Sequence, residues 1–259
     1  MVLVLTADDV AAALAGRELE VVDAVQAAYL AHESGNAAVP HSVFLRFPGD
    51  ETNRVIALPA YLGSPRPVAG CKWIASFPAN VDNGRARASA VIILNDTETG
   101  APIAILEGSL ISAARTAASA ALAAVRLSRG PIGHVSMVGC GLINKTVLRY
   151  LRAVAPQLDK VTAYDIRPGA AARFAEDVPT VEAVTNLSAA LSAAPTVCFA
   201  TTATQPYVSL GDVGRGVELI LHVSLRDLKP EMIHSVNNVV DDPGVVVDLV
   251  GENDRVHRL

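Results

Sequence analysis

The spacing of apolar positions changes once along this chain, near residue 109. Val2 to Leu5 reads as a short strand; Thr6 then offers a capping oxygen and Asp8 and Asp9 sit at the positive end of the helix that follows. A second helical stretch covers Glu18 to Glu33. From Val43 to Phe77 the apolar runs become short and rich in Val, Ile, Phe and Trp, broken by PGD, GSPRP and FPAN, which predicts a meander of antiparallel strands. ASAVIILND and APIAILE then follow each other across DTETG at hairpin spacing. Ser109 to Arg129 contains no Gly or Pro until Gly130 and Pro131 stop it, which predicts one long helix.

Beyond Pro131, strands and short helices alternate. Strands are expected at Val135 to Val138, Val161 to Asp165, Val181 to Val184, Thr196 to Thr201, Glu218 to Val223 and Asn238 to Asp241, with helices at Leu142 to Val154, Ala170 to Glu176 and around Leu187. That alternation builds βαβ units and a parallel sheet. The expected fold is α/β: an N-terminal α+β domain over residues 1–108, a connecting helix over 109–130, a Rossmann-type parallel-sheet domain over 131–242, and a short tail over 243–259.

Composition narrows the function classes. Of 259 residues, 51% are apolar and 18% charged, which suits doubly covered strands and excludes a disordered chain. The formal charge of -5 leaves no basic surplus for phosphate neutralisation, so a nucleic-acid partner is not expected. Cys71, Cys140 and Cys198 are odd in number and far apart, with neither a disulfide framework nor a metal-ligand spacing, and a reducing cytoplasm fits them. MVLVLTADDV meets Asp8 and Asp9 too early for a signal peptide or a membrane span.

The clearest chemical signal is VSMVGCGLINKTV, which runs from a strand through Gly139 and Gly141 into a helix starting at Leu142. Gly139 would allow the tight turn, Gly141 would let a pyrophosphate approach, and the helix would present free N–H groups to it. Asn144 stands where a dinucleotide loop usually has its third glycine. Asp165 lies 26 positions after Gly139 at the tip of the next strand, where a carboxylate meets an adenosine ribose. That acid favours NAD, although Arg167 nearby could accept a 2′-phosphate or lie against adenine.

Other positions carry two readings each. Lys72 interrupts an otherwise apolar strand, as an active-site amine or as a lysine snorkelling from an edge strand. Arg115 sits among small apolar residues in SLISAARTAASAALAA, a setting that suggests packing on most sides, so its charge wants a bound anion or a buried ion pair. Asp227 follows the strand LILHVS, at the end where open α/β sheets place ligands, or it caps the helix of LKPEMI. His222 reads as a core histidine, and His41 has no partner pattern.

At these residues the sequence resembles the ornithine cyclodeaminase and mu-crystallin family, and within it the branch that oxidises N-(2-amino-2-carboxyethyl)-L-glutamate to make 2,3-diaminopropionate for siderophores and antibiotics. The resemblance runs through LRFP, RVIALPAYLG, AGCKWIASFPAN, RASAVIILNDTETG, EGSLISAARTAAS, VGCGLIN and LHVSLRDLKPE to VVDD. It implies an NAD-dependent enzyme acting on a small amino-acid-derived substrate, and a homodimer. It implies substrate contacts at Arg46, Lys72 and Arg115, with Lys72 and Asp227 as catalytic groups. Cofactor contacts would fall on Arg115, Thr116, Gly139, Gly141, Leu142, Ile143, Asn144, Asp165, Thr201, Thr202 and Ser224. Ala57 stands where ornithine cyclodeaminases carry a glutamate, which weakens an ornithine reading; cyclic-imine reduction and non-catalytic nucleotide binding are the family's other known outcomes. The segment after VVDD is shorter than the family's own ending and does not resemble it.

Overall fold

The computed structural model describes every residue except 64, 65, 225, 242–255 and 259, and backbone only at 51 and 256–258. The expected tail over 243–259 therefore lies almost wholly outside the described residues. Two compact units emerge, Met1–Arg115 and Thr116–Leu259.

The first unit is built on a seven-stranded sheet. Its strands are β1 (Leu3–Leu5), β2 (Ala37–Ala38), β3 (Val43–Phe47), β4 (Asp50–Leu62), β5 (Val68–Ser76), β6 (Ala88–Asn95) and β7 (Pro102–Glu107). They are ordered β1-β7-β6-β5-β4-β2, with β3 also paired to β4. All pairings are antiparallel except β1 with β7. Helix α1 (Ala7–Leu14) packs on β1 and β7, and α2 (Glu18–Glu33) on β2 and β4. The Thr6 signal is realised as a capping box: Asp9 Oδ2 accepts the Thr6 N–H at 2.9 Å, and Thr6 Oγ1 accepts the Asp9 N–H at 3.4 Å. The β6–β7 hairpin closes on DTETG, where Asp96 Oδ1 gathers the Thr99 N–H at 2.8 Å and Gly100 takes a φ of 71°.

The long helix α3 spans Ser109–Leu127. Glu107 caps it, accepting the backbone N–H groups of Ser109 (2.6 Å) and Leu110 (3.0 Å), an anion at the positive end of the dipole. Length and apolarity alone would let α3 cross a membrane, but Ala117, Ala118, Ala121 and Ala124 on it are fully buried, as in a core helix.

The second unit is a parallel sheet of β8 (His134–Val138), β9 (Lys160–Tyr164), β10 (Val181–Ala183), β11 (Thr196–Phe199) and β12 (Leu219–His222), ordered β10-β9-β8-β11-β12. The crossovers are α4 (Leu142–Val154), α5 (Ala170–Asp177) and α6 (Leu187–Ala193). Val135, Met137, Val161, Ala163, Val197, Cys198 and Phe199 have no exposed surface, so the strands read as continuous apolar runs rather than alternating ones. Each fully buried large side chain of this kind contributes about 1.5–3 kcal/mol of transfer free energy.

Two more elements follow: α7 (Pro230–Ser235) and a two-stranded parallel pair, β13 (Asn238–Val240) with β14 (Val256–Arg258). The segment Asn238 to Asp241, expected as a further strand of the large parallel sheet, pairs instead with β14. A short apolar strand has no intrinsic signal for its partner, so tertiary context chooses it.

Candidate active site

The chain leaves β8 toward β9 and β10 on one side, then returns to β11 and β12 on the other. The order therefore reverses between β8 and β11, the point where open α/β sheets bind nucleotides. Gly139 sits there with φ of 91°, and a Cβ on it would lie 2.5 Å from the Ala200 carbonyl oxygen. No side chain fits. Gly141, the N-cap of α4, faces open space, and no side chain caps the helix, so its first N–H groups are available to an anion.

Asn144 is fully buried within the loop's support. Its Nδ2 donates to the carbonyls of Val138 (3.0 Å) and Gly139 (2.6 Å), and its Oδ1 accepts the Cys198 thiol at 3.1 Å. The residue that replaces the usual glycine is thus a cross-brace holding the turn, with no polar atom left over for a ligand. Leu142 is exposed and Ile143 half-buried at the start of α4.

Asp165 lies just past β9. One carboxylate oxygen accepts the Cys140 N–H at 2.8 Å and the other the Arg167 N–H at 2.8 Å, while the Arg167 guanidinium lies at 3.2 and 3.3 Å. Burial works against its charge, but Arg167 and the two amides prevail and hold the carboxyl below its ordinary range. The neighbouring Cys140 thiol is pushed up to about 12, chiefly by burial and then by the Asp165 charge, so it is not a reactive thiolate. Uncapped helix, open glycine and ionised acid together fit the pyrophosphate and ribose of a dinucleotide.

At the carboxyl ends of β11 and β12, Thr201, Ser224 and Asp227 come together. Thr201 and Ser224 hydroxyls both donate to the Asp227 carboxylate, Tyr207 Oη donates at 3.0 Å, and His222 Nε2 at 3.1 Å. Asp227 is completely buried. It does not cap α7, whose N-cap is Lys229, so the helix-cap reading is set aside. Thr202 is exposed beside this cluster and makes no part of it. Sequence reasoning missed Tyr207 and left His222 in the core; neither has a local pattern that announces a shared carboxylate.

In the first unit, Lys72 lies on β5 between Leu58 of β4 and Ile92 of β6. This strand is internal to the sheet, so the edge-strand snorkelling reading fails. Its Nζ donates to Ser112 Oγ on α3 at 3.1 Å. Burial first, and then the positive charge of Arg115, lowers the Lys72 pKa to about 8. Arg115 itself is exposed, contrary to the expectation of packing on most sides. The buried face of α3 runs through Ala113, Ala114, Ala117, Ala118, Ala121 and Ala124, whereas Ser112, Arg115, Thr116, Ser119 and Arg126 recur at helical spacing along another face. No carboxylate forms an ion pair with Lys72 or Arg115 among the described residues, and Thr116 follows half-buried on the same helix. Arg46 is exposed on β3, its guanidinium 5.7 Å from the Phe44 ring centre, with no described bond to Lys72 or Arg115.

The sequence model of the ornithine cyclodeaminase/mu-crystallin family matches residues 2–245. The chain belongs to that family. Within it, N-((2S)-2-amino-2-carboxyethyl)-L-glutamate dehydrogenase of Staphylococcus aureus is 34% identical over 231 residues, covering 85% of this chain and 68% of that protein. Among solved family structures, Thermococcus litoralis Delta(1)-pyrroline-2-carboxylate reductase in complex with NADH and L-proline superposes with a TM-score of 0.86 at 26% identity, covering 99% of this chain and 84% of that one. An archaeal alanine dehydrogenase dimer with bound NAD gives 0.82 at 28% identity, covering 99% and 82%.

Proposed function

We propose that this family member is an NAD-dependent dehydrogenase that oxidatively hydrolyses N-(2-amino-2-carboxyethyl)-L-glutamate to 2-oxoglutarate and 2,3-diaminopropionate. The observation that carries the substrate class is the cation pair Lys72 and Arg115, which has no carboxylate partner among the described residues. Two adjacent cations repel, and an anionic substrate relieves that repulsion. The substrate named here carries three carboxylates, and the staphylococcal relative that acts on it supports the choice.

The Gly139–Asn144 loop and Asp165 would hold the pyrophosphate and ribose, with Thr201, Thr202 and Ser224 on the nicotinamide side. Held by these residues, NAD would supply hydride-acceptor chemistry for the substrate Cα. Arg46 and Arg115 would hold carboxylates in bidentate fashion, and Lys72, with its lowered pKa, would orient the secondary amine and exchange a proton with it. The Asp227 cluster would supply the negative charge that supports addition of water to the resulting imine carbon. A homodimer is part of the same reading, supported by Phe44, Leu45 and Trp73, exposed on the first sheet at 50%, 47% and 45%.

The test is NADH formation with N-(2-amino-2-carboxyethyl)-L-glutamate, L-ornithine, L-proline and L-alanine in parallel. The first should show the highest kcat/KM by at least tenfold. A higher value for any of the others overturns the substrate, and no NADH with any of them overturns the enzyme reading.

A further inference from the structure

Building on the reaction proposed above, we propose that His222 is the group that takes the proton from the reacting water, and that Asp227 is the buried charge that orients the His222 ring. A general base must come within about 2.6–3.2 Å of the proton it removes. Asp227 has no exposed surface, and its two oxygens already receive Thr201 Oγ1, Tyr207 Oη, Ser224 Oγ and His222 Nε2. Those four donors match the roughly four acceptor positions of a carboxylate. Burial alone would raise its pKa, but the hydrogen bonds from His222, Ser224, Thr201 and Tyr207 outweigh it and leave the carboxyl at about 2. Asp227 is thus a fixed anion, and its effect on chemistry has to pass through one of its donors.

Three of those donors are hydroxyls. Burial, reinforced by the Asp227 charge, pushes the Tyr207 phenol's pKa upward, so it stays protonated. His222 alone has a second basic nitrogen. Because an ionised carboxylate only accepts, the His222 nitrogen facing it must carry the hydrogen, and Nδ1 of the neutral ring is left with its lone pair. The ring sits on the last residue of β12, at the carboxyl end of the parallel sheet, with 22% of its side chain exposed. Phe199 packs edge-on against it at 6.2 Å and limits its rotation. Among the described residues, Asp227 and Tyr207 are the titratable groups bonded in this cluster besides His222 itself, and Tyr164 of β9 acts on Tyr207.

The proton inventory closes. Hydride loss from the secondary amine leaves a protonated imine; as the water oxygen bonds to its carbon, Nδ1 takes one of the water protons and the π pair moves to nitrogen, giving a neutral carbinolamine. The imidazolium then returns that proton to the amine nitrogen. When the C–N bond breaks, the hydroxyl proton of the intermediate passes to Nδ1 and from there to solvent, leaving a carbonyl and a free amine. No oxidant beyond NAD is needed.

Two measurements decide it. In ¹⁵N-histidine-labelled protein, the neutral His222 ring should be protonated at Nε2 and bare at Nδ1. A neutral ring protonated at Nδ1 overturns the proposal without reference to any substrate. In His222→Gln, whose amide can still donate to Asp227, NADH affinity should stay within about twofold while kcat falls by roughly 100-fold and its acidic limb disappears. A Gln variant with normal kcat and an unchanged pH profile also overturns it. Should the Gln variant fail to fold, the tautomer measurement on the unaltered protein still decides. Absence of turnover in the unaltered protein counts against the reaction proposed above, and the tautomer result stands separately from it.

Discussion

Replacing Asn144 with glycine would restore the residue that a dinucleotide loop usually carries at its third position, and it should nevertheless damage this protein. The amide of Asn144 donates to Val138 O and Gly139 O and accepts the Cys198 thiol. After substitution Val138 O keeps the Ala200 N–H at 3.0 Å, but no other described donor reaches Gly139 O. One stranded buried carbonyl costs about 1–3 kcal/mol, and the two further lost bonds, to Val138 O and from the weakly donating Cys198 thiol, about 1 kcal/mol together. Glycine in a helix adds a few tenths of a kcal/mol relative to asparagine. The sum is about 3 kcal/mol, which at a urea slope of about 2–3 kcal/mol/M lowers the midpoint by roughly 1 M. Urea unfolding followed by far-ultraviolet circular dichroism reads the α4 unit, while the fluorescence of Trp73, the only tryptophan, reads the first sheet. Asn144→Ala is the control, because it removes the same bonds without the flexibility of glycine. NAD affinity should fall in both variants as the turn loosens. A glycine variant with an unchanged or higher midpoint refutes the brace.

The remaining predictions concern charge. Unaltered protein should bind NAD more tightly than NADP by calorimetric titration, and Asp165→Ala should narrow the gap; a preference for NADP would move the selectivity to Arg167, which lies against that carboxylate. Arg115→Ala should leave the melting temperature nearly unchanged, since the side chain is exposed and no described ion pair holds it, while KM rises about tenfold. A large drop in melting temperature with normal kinetics would reverse that assignment. Lys72 loses its proton near pH 8 in the fold but near 10.5 when unfolded, so between those values the unfolded chain binds more protons and stability should rise with pH. Lys72→Met should flatten that rise in urea midpoints taken across the window, and an equal slope in both proteins would show that Lys72 is not the titrating group.

Much of this architecture was legible because its signals are local. The capping box at Thr6, the hairpin turn at Asp96 and the glycine-to-helix passage at Gly139 each depend on residues within a few positions of one another, so short-range sterics and hydrogen bonding decide them. Repeated passage between strand and helix after Pro131 likewise left a parallel sheet as the one economical way to bury so many apolar strands. The polar positions Ser112, Arg115, Thr116, Ser119 and Arg126 recur at helical spacing and mark one face of α3, so the exposure of Arg115 follows from periodicity, while the near-complete burial of Ala117, Ala118, Ala121 and Ala124 came only with tertiary packing. Nor could sequence show that Asn144 binds its own backbone, that β13 leaves the parallel sheet for β14, or that Lys72 sits on an inner strand. The Asp227 cluster is the sharpest case. Thr201, Tyr207, His222 and Ser224 reach one carboxylate from the ends of two strands and the loop between them, so only the register of β11 on β12 and the path of that loop could assemble them. Amino-acid order determined the strands, the turns and the nucleotide loop, since these are properties of neighbours along the chain. Tertiary structure alone decided which charges are buried and what they touch, because desolvation and hydrogen-bond saturation depend on atoms brought together across dozens of residues.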